Sequence, residues 1–145
     1  MEKLTYTQSF RGLVAYRVAR ELSQAVFQVS QRFPKEETYS LTDQVRRSSR
    51  AIGANIAEAW AKRRYEKHFI SKLTDADGEQ QETQHWLETA YACGYLSQSE
   101  TVDLTNQCQR IGQLIGGMIA KSHQFCQDQT SLRETTSEYF IEPQP

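Results

Sequence analysis

"LTDQVRRSSRAIGANIAEAWAKRR", residues 41–64, is the stretch on which the reading of the fold turns. Leu41, Val45, Ser48, Ile52, Asn55 or Ile56, and Ala59 recur in steps of three and four, the signature of one helix face. Ser40, with Asp43 three residues later, predicts a cap at the start. The spacing predicts a helix running to about Arg64, roughly 35 Å long at ~1.5 Å per residue. At ~100° per residue, Arg46, Arg47, Arg50 and Arg64 fall opposite the stripe, with Ala54, Ala57 and Ala61 between them. The expectation is an outer face of arginines separated by side chains short enough to let a partner approach.

Outward from this stretch the same periodicity repeats. Upstream, Ala15, Val18 or Ala19, Leu22, Val26, Val29 and Phe33 predict a helix that starts after an N-cap at Ser9 and is ended by Pro34. Downstream, Phe69, Leu73, Ala76, Gln80, Thr83, Leu87 and Ala90 predict a third helix, with Gly94 as its C′ residue. Ser97 and Glu100 form a capping box that opens a fourth, whose stripe is Leu104, Cys108, Ile111, Ile115 and Met118. Strand alternation is absent, and the three prolines are Pro34, Pro143 and Pro145. Short loops between long helices imply antiparallel neighbours, so the fold class is all-α, an antiparallel up-down-up-down four-helix bundle. Residues 1–126 are read as the bundle domain and 127–145 as a polar, flexible C-terminal tail.

Charge is unevenly placed. The net charge is −1, but residues 44–72 hold eight Lys/Arg against Glu58 and Glu66, and residues 73–105 hold seven acids and no Lys or Arg. A basic block followed by an acidic block admits three readings. The first is a solvated helix face. In the second, the basic face of one subunit meets the acidic third helix of another subunit or of the same bundle. The third is a phosphate-binding surface, because the planar guanidinium fork makes bidentate contacts with phosphate oxygens. Such binding is independent of sequence and sensitive to salt.

Chemistry beyond binding finds little support. Glu82-Thr-Gln-His85 has the E-x-x-H spacing of di-iron bundles, but no second motif accompanies it, so no metal or other cofactor is expected. No nucleophile elbow, P-loop or H-E-x-x-H occurs, so no catalysis is expected. Asn55, Gln80 and Thr83 fall on or beside core stripes and read as a hydrogen-bonded network that fixes helix register. Three cysteines without a C-x-x-C fit a reducing compartment. With no signal-peptide pattern and no apolar run long enough for a bilayer, a soluble cytoplasmic protein is expected.

The order of motifs is itself specific: F-P-x-E from Phe33, Y-x-L-x-x-Q-x-R-R ending at Arg47, N-I-A-E from Asn55, E-T-Q-x-W-L from Glu82, and G-Y-L from Gly94. Over about Ser9 to Phe125 the chain resembles the four-helix bundle proteins of the large-subunit rRNA intervening-sequence family. The resemblance implies up-down bundles that assemble into barrel-like homopentamers, encoded in inserts of bacterial rRNA genes or standing alone, mostly with no assigned activity. It also implies kinship to a branch that serves diversity-generating retroelements by binding nucleic acid and a partner reverse transcriptase through basic surfaces. Arg46 and Arg47 sit at the family's R-R positions and read as phosphate contacts, and Asn55 as structural. Gly53 stands where the family often has proline, which should change any kink in the second helix, and Ala59 stands where it often has glycine, which should tighten the turn region less. The nucleic-acid-binding branch is strongly basic, and this chain is not.

The combined expectation is a non-enzymatic, homo-oligomeric binding or scaffold protein, a pentamer by resemblance. Its candidate contacts to RNA or DNA are Arg46, Arg47, Arg50, Lys62, Arg63, Arg64 and Lys67. The alternative is a protein-interaction module whose charges only organise the oligomer.

Overall fold

The computed structural model describes residues 9–126, and the predicted tail, 127–145, lies outside them. Four long helices follow in order: α1 (Val14–Ser30), α2 (Leu41–Ala61), α3 (Glu66–Ala92) and α4 (Gln98–Ala120), then a short α5 (Ser122–Phe125). Each long helix packs on its neighbour in the chain, and α1 closes the ring against α4. The result is the four-helix bundle that the stripes predicted, with a core of Leu, Ile, Val and Phe side chains running its whole length.

The connections explain the helix ends. Ser9 accepts the Arg11 N–H, but it caps a 3-10 turn over Phe10–Gly12, so α1 starts only at Val14. Past α1 the chain passes Pro34 into a second 3-10 turn, Lys35–Glu37. The start of α2 is not capped by the Ser40 side chain. Glu37 takes that role: one carboxylate oxygen accepts the Leu41 N–H at 3.3 Å, and the other accepts the Tyr95 hydroxyl at 2.9 Å. That bond pushes the Tyr95 hydroxyl up to about 12, because ionising it would set a second negative charge against the carboxylate. At the end of α3, Gly94 adopts φ +82°. Its N–H reaches the Tyr91 carbonyl and the Tyr95 N–H reaches that of Ala90, both at 2.9 Å, which satisfies two carbonyls that a helix end leaves free. The Ser97–Glu100 capping box is fully formed.

Burial follows the stripes with instructive exceptions. The predicted stripes of α3 and α4 are buried throughout. In α1, Ser30 is buried and Val29 only partly. In α2 the buried set widens to include Thr42, Ser49, Gly53 and Trp60, because this helix is flanked by both α1 and α3. Ile56 takes the core place and Asn55 turns aside, its side-chain amide donating to the Ala51 carbonyl at 2.9 Å. α2 runs unbroken through Gly53, which packs against Tyr16 of α1.

The polar layer in the middle therefore lacks Asn55. It consists of a 2.8 Å hydrogen bond between Thr83 and Ser48, which joins α3 to α2, and of Gln80 with its helix neighbours. The Gln80 amide donates to Asp77 at 2.9 Å and its carbonyl accepts from Gln84 at 2.7 Å. Gly112 of α4 leaves room for that amide: a Cβ there would lie 2.8 Å from it.

Candidate nucleic-acid interface

The seven candidate cations occupy three settings. Arg46 does not radiate outward as the wheel suggested. It is half-buried against α1, its Nε donating to Ser30 Oγ at 2.8 Å and its guanidinium 4.8 Å from the Phe27 ring centroid. At 100° per residue it lies to the side of α2, and the side it meets is filled by α1. Arg50, one turn on, is exposed, and its guanidinium lies over the same ring at a longer 5.7 Å from the centroid. Arg47 is exposed on the opposite flank, beside Glu79 and Glu82 of α3. Burial, then Glu82 and Asp75, push the Glu79 carboxyl above its usual range, and the Arg47 charge works against them.

The remaining four cations sit where α2 turns into α3. α2 ends at Ala61, with Lys62 as its C-cap, so the predicted helical row never reaches Arg64. Lys62, Arg64 and Lys67 are exposed around the turn. Arg63 folds back: its Nε donates to the Trp60 carbonyl at 2.9 Å and its guanidinium lies 3.6 Å over the Trp60 ring. Partial burial lowers the Arg63 pKa below the ordinary arginine value.

This turn is braced from below. Ser122 of α5 donates to the Glu66 carboxylate at 2.5 Å. Phe69 and Phe125, both fully buried, stack with ring centroids 5.9 Å apart. Lys72 bridges to Glu58 at 2.8 Å and approaches Asp75 at 3.7 Å, linking α3 to α2 behind the turn. The Lys72 hydrogen bond holds the Glu58 carboxyl below its usual range and raises the lysine in turn.

Two residues the periodicity did not single out belong to this surface. Tyr65 is 57 % exposed, and its ring centroid lies 5.4 Å from that of exposed His68. The signal was present in "KRRYEKH", where aromatic rings alternate with cations, but helical spacing does not detect it.

Beside Arg50, an open groove of about 410 Å³ runs between α1 and α2, floored by Phe10, Tyr16, Gly53, Ala54 and Ala57. The E-x-x-H pair forms no centre: Glu82 accepts the Trp86 indole N–H at 3.0 Å, and His85 packs edge-on against the same ring. Among the described residues no group of three His, Cys, Asp or Glu is placed to hold a metal. Cys93, Cys108 and Cys126 are free thiols. Burial pushes the Cys108 thiol up to about 12, which marks it as a core residue and no nucleophile. Among the described residues no helix is long and apolar enough to cross a membrane.

Comparison with known proteins agrees with the sequence motifs. The family described as 23S rRNA-intervening sequence protein matches residues 11–117. The structure is similar to a crystal structure of a protein of unknown function from the S23 ribosomal protein family of Bacteroides thetaiotaomicron. The two are 27% identical with a TM-score of 0.67, over 73% of this chain and 98% of that one. No curated protein matches the chain.

Proposed function

The chain belongs to the 23S rRNA-intervening sequence protein family, and we propose that it is a non-enzymatic, self-associating binding protein that contacts RNA or DNA phosphates. The contacts come from Arg47 and Arg50 on α2 and from Lys62, Arg64 and Lys67 around the α2–α3 turn. One observation supports this above others: all five are exposed, and none is in a salt bridge among the described residues. Cations already neutralised by carboxylates gain little from phosphate, whereas these can release condensed counterions from a polyanion. Arg46 and Arg63 are engaged with Phe27 and Trp60 and act as supports for that surface.

Retention on heparin or on immobilised RNA tests the reading. Each phosphate neutralised adds about 0.7 to 0.9 to the slope of log affinity against log salt. Reversing Arg47, Arg50, Lys62, Arg64 and Lys67 to glutamate should abolish retention and leave the sedimentation coefficient unchanged. A wild-type protein that elutes with no salt dependence refutes it.

A second reading has its own support in the groove beside Arg50, whose α2 side, Gly53, Ala54 and Ala57, is small enough for a close helix-on-helix approach. On that reading the basic α2 face seats on the acidic α3 of another copy. Dissociation of the oligomer by the same charge reversal, with no polyanion ever bound, favours it.

A further inference from the structure

Resting on the phosphate reading above, we propose that Tyr65 and His68 form a base-stacking platform that makes this surface selective for single-stranded nucleic acid. Four large hydrophobic residues are exposed among the described residues: Tyr39, Tyr65, Tyr91 and Val102. Their neighbourhoods differ in charge. Tyr39 follows Glu36 and Glu37, and Tyr91 follows Glu88, so a polyanion is repelled from both. Tyr65 alone has cations in the majority around it, with Lys62, Arg63 and Arg64 before it and Lys67 after it against the single Glu66, which is tied to Ser122. Phosphate attraction and an open aromatic face coincide there, the pairing by which single strands are held without reading their sequence.

The platform is also set in place before any ligand arrives. The Tyr65 N–H donates to the Lys62 carbonyl at 3.0 Å, and the Tyr65 carbonyl accepts from His68 and Phe69 at 2.9 and 3.0 Å. Phe69 is clamped by Phe125, Glu66 by Ser122, and Arg63 by Trp60. Little backbone freedom is left to lose on binding. The two rings are tilted by 54°, so neither covers the face of the other, and a base lying flat on one meets the edge of its partner. A duplex, whose base faces are already stacked on each other, can use the cations but not the rings.

Fluorescence anisotropy with a short labelled oligoadenylate and with a fully paired hairpin of equal phosphate count, its turn made by a non-nucleotide linker, tests this. The wild type should bind the single strand more tightly. Combining Tyr65→Ala with His68→Ala should weaken single-strand binding about ten-fold and leave hairpin affinity and both salt slopes in place. Tyr65→Trp should preserve single-strand binding, with the new indole quenched when oligoadenylate is added. Equal affinity for the two probes together with no loss in the double alanine variant overturns the platform and leaves the phosphate reading standing. Failure of both probes to bind at low salt overturns the phosphate reading, and the platform with it.

Discussion

The middle of α2 and the α2–α3 turn carry the same kind of side chain and treat it differently. In mid-helix, phase decides: Arg46 is turned sideways into α1, Arg50 grazes the same ring, and Arg47 stands off toward the acids of α3. In the turn, the backbone leaves the helical repeat after Ala61, so Lys62, Arg64 and Lys67 splay outward while Arg63 folds onto Trp60. A count of cations in a sequence therefore overstates the charge available to a ligand. The helix shares its arginines with neighbouring helices, and the turn keeps most of its cations for solvent.

The strongest way to break the contrast is to loosen what braces the turn. Phe125→Ala removes a fully buried ring from the stack on Phe69, and such truncations cost about 3–5 kcal/mol. Denaturant titration should show that loss. Polyanion binding at the turn should weaken in protein that is still folded, while contacts by Arg47 and Arg50 persist. Next comes a direct comparison of the two clusters. Reversing Lys62, Arg64 and Lys67 to glutamate should lower the salt at which heparin releases the protein further than reversing Arg47 and Arg50. Glu79 and Glu82 already oppose ligand binding beside Arg47.

Arg63→Ala separates support from contact. It removes a stacked cation and should cost on the order of 1 kcal/mol of stability, with the salt slope for heparin unchanged. The smallest effect is expected in acid. Glu58 and Glu100 are held below the usual carboxylate range, the first by Lys72, the second by the Ser97 N–H and by Arg32. The unfolded chain therefore takes up those protons first as pH falls. The stabilisation is complete above the ordinary value of 4.5 and is lost as pH drops through the lowered values. Glu58 is exposed and Glu100 only half-buried, so the loss should be slight. Glu58→Gln should flatten the corresponding part of the Tm-against-pH curve.

Much of this architecture could be read in advance. Leu104, Cys108, Ile111, Ile115 and Met118 are spaced so that only a helix places them on one side, and Gly94 and the Ser97–Glu100 box are local signals needing no knowledge of the rest. What escaped was non-local. Glu37 capping α2 depends on the 3-10 turn that follows Pro34 and on Tyr95 from a distant loop. Arg46 is captured because Phe27 and Ser30 of another helix stand beside it. The end of α2 at Ala61 carries no glycine or proline to announce it, so the periodic pattern overran into the turn and drew Arg64 onto a face it does not occupy.

The up-down order sets the connections 31–40 and 93–97 side by side, where Arg32 meets Glu100 and Glu37 meets Tyr95. It leaves the residue 62–68 cations at the opposite pole. Arg32 and Lys35 offset most of the charge of Glu36, Glu37 and Glu100 at the first pole, whereas Lys62, Arg63, Arg64 and Lys67 outnumber Glu66 at the second, so the molecule is electrically lopsided along its length. A torque acts on it in the field of any polyanion before contact is made. On the phosphate reading, encounters would begin with the bundle pointing end-on at its ligand, and its long sides would arrive second.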